Sequence, residues 1–130
     1  MKTFEELVVW QKAHTFVLEI YRVTKHFPVE ERYGLIAQLR RAAVSIPANI
    51  VEGHKRASKR EFVNFLSIAD ASLEECKYYL VLARHLGWIE PHHFAHLFAN
   101  AEEIGRLLCG LRGYVKQELT NADTVPSLTA

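Results

Sequence analysis

The sequence has few of the residues that support redox chemistry, metal binding or membrane insertion. It contains two cysteines and one methionine in 130 residues. Cys76 and Cys109 lie in helical apolar patterns without metal or redox spacing, so we expect both to be reduced core residues. No apolar run approaches the roughly 18 residues of a membrane-spanning helix. The acidic, amphipathic start is unlike a signal peptide, which favours a cytoplasmic protein with no membrane partner.

Motifs for phosphate binding and for nucleophilic catalysis are also missing. The sequence has no P-loop, no nucleotide-binding glycine pattern and no serine elbow. Its seven histidines are scattered, except for His92, His93 and His96. His93 forms a single Glu-x-x-His with Glu90, whereas a carboxylate-bridged two-metal bundle needs two such motifs and further inward glutamates. We interpret these histidines as solvated and predict no catalytic residue, no metal site and no cofactor, so a metal-dependent enzyme is the least favoured class.

Proline and glycine are sparse, and their positions divide the chain into helices. Phe27-Pro28 interrupts the first helical pattern, Gly87 follows the third, and Pro91 suits the first turn of the fourth. Two capping-box patterns, Thr3 with Glu6 and Ser58 with Glu61, mark helix starts. The predicted helices run from about Phe4 to His26, from Glu30 to Gly53, from Ser58 to Leu86 and from Pro91 to Leu119.

This pattern predicts one all-α domain. Four helices with short connections, no strand pattern and no repeat are typical of an up-down-up-down antiparallel four-helix bundle. We place the bundle at residues 1–119. Residues 120–130 are polar and contain proline, so we predict a disordered C-terminal tail there.

The second helix carries three distinct stripes when residues are placed about 100° apart. One stripe is apolar and suits the core: Leu35, Leu39, Ala42, Ala43, Ile46 and Ile50. A polar stripe borders it: Gln38, Arg41, Ser45, Asn49 and Glu52. Beyond the polar stripe lie small apolar residues where a solvated face is normally charged: Ala37, Val44, Ala48 and Val51.

Pro47 lies within this second helix and removes one backbone donor. An interior proline costs about 3 kcal/mol, so we predict a kink near Ala43 to Ile46. Alternatively, one helix ends at Ile46 and another begins at Pro47. The apolar spacing continues in phase to Ile50, which favours the kinked helix.

The sequence of the second helix resembles a known family. The run RYGLIAQLRRAAVSIPANIVEG, with VVWQKA before it and FLSIADASLEE after it, is similar to the 23S rRNA intervening-sequence protein family. Its members are bacterial four-helix-bundle proteins, also called S23-like, and the resemblance covers about Phe4 to Leu119. The family is similar in fold to the basic, pentameric accessory protein of diversity-generating retroelements, so the resemblance implies a homo-oligomer, with a pentamer expected. It implies little about activity, because the family is named for where its reading frames lie in rRNA genes.

The second apolar stripe points to self-association. A helix that is apolar on two sides is expected to be covered on both. The core of the bundle covers one side, and we predict that another subunit covers the side formed by Ala37, Val44, Ala48 and Val51.

The polar stripe has two interpretations. Arg41, Asn49 and Glu52 form a binding site in the first. In the second, which we favour, the stripe is a structural network that sets helix register. A hairpin turning near Ala57 places Arg41 close to Asp70 or Glu74, and we predict an ion pair there. The predicted network comprises Arg41, Ser45, Asn49, Glu52, Asp70 and Glu74.

Basic residues are concentrated in one part of the chain. Residues 32–60 hold seven Lys and Arg residues against a single acid, Glu52, while the whole chain has 16 against 15. Repeated around a ring, such a patch would bind a polyphosphate backbone, and with no aromatic residue in it we expect recognition of shape rather than base sequence. An ordinary solvated turn is the alternative. The predicted nucleic-acid-binding residues are Lys55, Arg56, Lys59 and Arg60.

Together these patterns favour a non-enzymatic homo-oligomer that binds structured RNA, such as rRNA, or another nucleic acid through the connection between the second and third helices. The alternative function is an oligomeric adaptor for a protein partner, in which the basic connection has no role.

Overall fold

Four α-helices make up most of the part of the chain that the structure describes. The structure is a computed structural model, which describes the backbone of residues 3–124 and the side chains of residues 3–121. Two short 3-10 turns, Phe4–Glu6 and Val29–Glu31, precede the first and second helices, and no strand occurs within residues 3–124. The predicted all-helical class with four helices is therefore confirmed. The helices are α1 (Val8–Thr24), α2 (Leu35–Lys55), α3 (Lys59–His85) and α4 (Pro91–Thr124).

The start of α1 differs from the prediction. The Thr3 side chain makes no capping bond, and the α-helix begins at Val8 rather than near Phe4. Leu7 separates the 3-10 turn from α1 with an extended backbone, and its side chain is buried in the core. The predicted capping box was wrong because burial of Leu7 outweighs the local preference for a helix starting at Thr3.

The start of α2 also lies later than predicted. Glu31 belongs to a 3-10 turn, and the helix begins at Leu35 after Gly34. The Glu31 carboxylate accepts a hydrogen bond from the Leu35 backbone N–H at 2.9 Å. Glu31 therefore satisfies a free donor of the first turn from outside the helix, as a capping residue does.

Pro47 lies inside a continuous helix. α2 runs from Leu35 to Lys55, so the alternative in which one helix ends at Ile46 is wrong. Pro47 is buried, and its neighbours Ile46 and Ile50 are completely buried. Burial of these side chains offsets the lost backbone hydrogen bond.

Both ends of α3 agree with the sequence signals. The Ser58 hydroxyl accepts a hydrogen bond from the Glu61 N–H at 3.3 Å, as the capping pattern predicts. At the other end Gly87 has a φ of +81°, and Trp88 N–H donates to the Ala83 carbonyl at 2.9 Å. A residue at positive φ closing such a bond is the usual reason for glycine after a helix.

α4 extends past its predicted end. The helix continues through Thr124, so the boundary predicted at Leu119 was too early and residues 120–124 are helical. The rest of the predicted tail, residues 125–130, lies outside the described residues.

The core lies between the four helices. α2 packs against α1 and α3, and α4 packs against α3 and α1. The core stripe predicted for α2 is buried along its whole length, and Cys76 is buried as expected. Cys109 was predicted to be a core residue but is exposed, because it lies on the outer side of α4 next to Gly110. The largest completely buried aliphatic side chains come from all four helices: Ile20, Leu39, Ile46, Ile50, Leu66, Leu73, Leu80, Leu97, Ile104 and Leu108.

Glycine positions in the helices give opposite expectations for replacement by alanine. A Cβ at Gly110 or Gly113 would meet nothing within 4 Å, so Gly110→Ala or Gly113→Ala should stabilise the protein by about 0.5–1 kcal/mol. A Cβ at Gly53 would lie 2.8 Å from Phe65 Cβ and 2.8 Å from Phe62 Cδ1. Gly53→Ala should therefore destabilise the protein by about 1–2 kcal/mol, since the core must shift. Urea unfolding of the three variants measures both signs, and a stabilising Gly53→Ala would contradict the close packing of α2 on α3.

Candidate functional site

The four predicted nucleic-acid-binding residues lie at one end of the molecule. Lys55 is the last residue of α2, Arg56 has an extended backbone that ends the helix, and Lys59 and Arg60 begin α3. All four side chains are exposed. The short connection keeps the two helix ends adjacent, so these cations form one group, which we call the basic end.

Acidic residues neutralise part of the basic end. Arg56 lies 3.3 Å from Glu52 and 3.8 Å from Glu61, and its guanidinium is 5.1 Å from the centre of the Phe65 ring. Lys59 Nζ lies 2.9 Å from Glu118 Oε2 of α4. Glu118 is 59 residues away from Lys59 in the sequence, so local sequence patterns did not identify it as the partner of Lys59.

Lys55 and Arg60 differ from the other two cations. Neither has a hydrogen bond or an ion pair with any residue in the described part of the chain. Exposed ion pairs are weak and open readily. Among the described residues, the basic end therefore contains two cations without an acidic partner and two with one.

The second apolar stripe of α2 lies on the surface. Ala37, Val44 and Ala48 are exposed, and Val51 is half-buried. Val44 retains 40% of its accessible surface, whereas Ala43 beside it retains none. We call these four residues the outer α2 face, and no other helix within residues 3–121 buries Ala37, Val44 or Ala48.

A pocket connects the outer α2 face with the basic end. It has a volume of about 330 Å³ and lies between the first 3-10 turn and the last turns of α2. Val51 of the outer face and Lys55 of the basic end both line it. The other lining residues are Thr3, Phe4, Glu52 and His54.

The middle of the polar stripe joins α2 to α3. The hydroxyl groups of Ser45 and Ser72 are 2.8 Å apart. The Asn49 amide donates to the Ser45 carbonyl at 2.8 Å and to the Ser45 hydroxyl at 2.9 Å. The Ser45–Ser72 contact connects the two helices, the Asn49 bonds lie within α2, and the role of the stripe in setting helix register stays a prediction.

The ends of the predicted network are not connected as expected. The predicted ion pair of Arg41 with Asp70 or Glu74 was wrong: Arg41 is exposed and donates to Gln38 on its own helix. Asp70 lies 3.7 Å from Arg112 and Glu74 lies 3.0 Å from Lys77. Glu52 pairs with Arg56 instead of joining the network.

The predicted pairing of Arg41 with Asp70 fails because α4 packs beside α3 and brings Arg112 to Asp70. Arg41 projects from the solvent side of α2, so it does not reach either carboxylate.

A contact between α1 and α2 was missed in the sequence. Arg40 Nε donates to the Thr24 hydroxyl at 2.8 Å, and the Arg40 guanidinium lies 4.5 Å from the Tyr21 ring centre. Thr24 is completely buried and donates in turn to the Ile20 carbonyl at 2.7 Å. The signal was a threonine in the core stripe of α1, which needs a polar partner when buried.

A polar groove lies between α1 and α4. Lys12 pairs with Glu103 at 2.9 Å, and His96 Nε2 lies 2.9 Å from Glu19 Oε2. The sequence pattern predicts that His96 is solvated, but in the structure it contacts Glu19 of α1. Within residues 3–121 no three His, Cys, Asp or Glu side chains come together as metal ligands would.

Cys76 of α3 is completely buried in the core. Burial, with the nearby Glu75 charge adding to it, raises the pKa of the Cys76 thiol to about 12. The thiol therefore stays protonated at neutral pH.

None of the described helices combines the length and the apolar character needed to cross a membrane.

Two neighbouring arginines give a matched test of these contacts. Arg40→Ala should lower the free energy of unfolding by about 1–2 kcal/mol, because the charged hydrogen bond to Thr24 and the contact with Tyr21 are lost. Arg41→Ala should change it by less than about 0.5 kcal/mol, as exposed substitutions usually do. Urea unfolding distinguishes them, and a larger effect for Arg41→Ala would restore the buried ion pair that the sequence suggested.

The comparisons with known proteins agree with the fold. The family described as 23S rRNA-intervening sequence protein matches residues 5–110. The chain is similar to a crystal structure, at 1.70 Å resolution, of a protein of unknown function from the S23 ribosomal protein family of Bacteroides thetaiotaomicron VPI-5482. The TM-score is 0.76 with 28% identity, over 82% of this chain and 96% of that chain. Among curated proteins none matches this chain. Because the family match covers residues 5–110, most of its length, the chain belongs to the 23S rRNA-intervening sequence protein family.

Proposed function

We propose that this protein is a non-enzymatic homo-oligomer whose subunits meet through the outer α2 face. The observation that carries the proposal is the exposure of Ala37, Val44 and Ala48 on a helix whose opposite side is fully buried. Small apolar side chains allow two helices to approach closely. Covering them with a second copy removes apolar surface from water on both subunits.

The assembly we propose is a closed ring. A ring forms when one face of each subunit contacts a different face of the next and the rotation closes. The resemblance to a family with a pentameric structural relative favours five subunits. Each subunit would then contribute one copy of the basic end.

The arrangement of the helices that we propose is up-down-up-down, with a kink in α2 at Pro47. Contacts between distant residues support it: Lys12 pairs with Glu103, and Glu19, later in α1, pairs with His96, earlier in α4. In these two pairs the residue number increases along α1 while it decreases along α4, which is typical of antiparallel helices. The kink is supported by the missing N–H of a proline inside a continuous helix.

We propose further that the basic end binds nucleic acid in the cytoplasm. Lys55 and Arg60 support this, because they are exposed and free of acidic partners among the described residues. The name of the family refers to rRNA, and the similar protein from Bacteroides thetaiotaomicron is assigned to a ribosomal protein family, so RNA is the favoured ligand. A ring increases affinity because one long RNA can contact several copies.

An adaptor that binds a protein partner is the alternative function. The ion pairs of Arg56 and Lys59 favour it, because they lower the net positive charge that a phosphate backbone would meet. Under this alternative the outer α2 face still joins the subunits.

Assembly can be tested by placing a charge on the outer α2 face. Val44→Glu should reduce the molar mass in solution, because an unpaired buried charge costs several kcal/mol at each contact. Val29, which is 64% exposed in a 3-10 turn, provides the control Val29→Glu, expected to keep the assembly. Sedimentation measures the mass and circular dichroism the helix content. A wild-type protein that sediments as a monomer at micromolar concentration would refute the proposal.

Nucleic-acid binding can be tested by comparing the free and the paired cations. Lys55→Ala with Arg60→Ala should flatten the slope of log affinity against log salt by about 1–2 units, since each neutralised phosphate contributes about 0.7–0.9. Arg56→Ala with Lys59→Ala removes the same formal charge and should have a smaller effect, because their glutamate partners offset part of it. A structured RNA is the ligand. Absence of wild-type binding at low salt would exclude this function and leave the adaptor.

A further inference from the structure

An exposed tyrosine lies next to the basic end. Tyr114 of α4 retains 62% of its accessible surface. Within the described residues its ring contacts no other ring and no cation, and its hydroxyl has no hydrogen-bond partner. The neighbouring Val115 is 3% exposed, so the helix is held at this position while the ring points outward.

The ion pair between Lys59 and Glu118 places Tyr114 in this region. Lys59 Nζ and Glu118 Oε2 are 2.9 Å apart, which brings the last turns of α4 to the first turn of α3. Tyr114 precedes Glu118 by one helical turn on the same face, about 6 Å along the axis. The ring therefore lies about one helical turn from the ion pair that joins α4 to Lys59 of the basic end.

The surface beside the ring is open. Gly110 lies one turn before Tyr114 on the same side of α4, and Gly113 is adjacent to it. A Cβ at either glycine would meet nothing within 4 Å. The surface of α4 next to Tyr114 therefore carries no side chain at these two positions, which leaves room there for part of a ligand.

We propose that Tyr114 is a base-stacking residue and that the ligand of the basic end is nucleic acid with unpaired nucleotides. The inference rests on the nucleic-acid part of the proposed function and specifies its ligand class. Proteins that bind single strands combine cations for the backbone with an aromatic ring for a base. Bases in a duplex are already stacked on both faces, so the ring gains contact only with loops, bulges or single strands.

Tyr78 provides a matched control. It retains 60% of its accessible surface, nearly the same as Tyr114, but it lies one turn after Glu74 on α3. Glu74 pairs with Lys77 at 3.0 Å, so this site also has an ion pair one turn away, but none of the four residues of the basic end belongs to it. Tyr78→Ala removes an equally exposed ring without affecting the basic end.

The experiment compares two RNA ligands. One is an oligouridine of about 20 nucleotides and the other a blunt RNA duplex of about the same length, both at low salt. Tyr114→Ala should weaken binding of the oligouridine by about fivefold to 150-fold, the range for loss of one stacked base. Tyr114→Phe should bind like wild type, because it keeps the ring. Tyr78→Ala should leave both affinities unchanged, and Tyr114→Ala should leave the duplex affinity unchanged.

The outcomes separate this inference from the function on which it rests. If wild-type protein binds neither RNA, the nucleic-acid function itself is wrong. If it binds the oligouridine and Tyr114→Ala matches Tyr78→Ala, only the stacking role is overturned. Equal weakening of both ligands by Tyr114→Ala also overturns the stacking role, because a duplex has free base faces only at its two ends, whereas every base of the oligouridine can stack on the ring. Tyr114→Ala should remain folded, because alanine is favourable at an exposed helical position. Tyr114→Leu provides a second variant without a ring.

Discussion

The fold depends on burial of the inner face of α2. Ala43, Ile46 and Ile50 are completely buried, and Gly53 allows Phe62 and Phe65 of α3 to approach the helix closely. Each fully buried isoleucine contributes about 1.5–3 kcal/mol, so the two together match or exceed the cost of about 3 kcal/mol for Pro47. The helix therefore continues through the proline. Helices α1 and α3 pack against α2, and α4 completes the core by packing against α1 and α3.

A long helix buried on one side presents its other side to the surroundings. The outer α2 face is apolar and ends at Val51, while Lys55 one turn later belongs to the basic end. Both residues line the same pocket. Assembly through this face would consequently place the basic end of each subunit next to a subunit boundary, so that oligomerisation and ligand binding would depend on neighbouring parts of one helix.

Ion pairing determines how basic this end is. Counted along the chain, residues 32–60 hold seven cations and one acid. In three dimensions Glu61 approaches Arg56 and Glu118 approaches Lys59, so the cations and acids form a mixed surface. A single subunit then offers few free positive charges, so the proposed binding of nucleic acid would depend on a repeated arrangement or an additional stacking contact for affinity.

Local patterns in the sequence determined the four helices, the core stripe of α2, the Ser58 cap and the Gly87 terminus. These features depend on spacing and backbone preference within one or two turns, which a sequence displays directly. The tertiary structure alone decided that Arg112 rather than Arg41 approaches Asp70, that Leu7 delays α1, and that Glu118 approaches Lys59 of the basic end. These contacts depend on how separate helices are positioned against each other, and the periodicity of a single helix carries no information about that register.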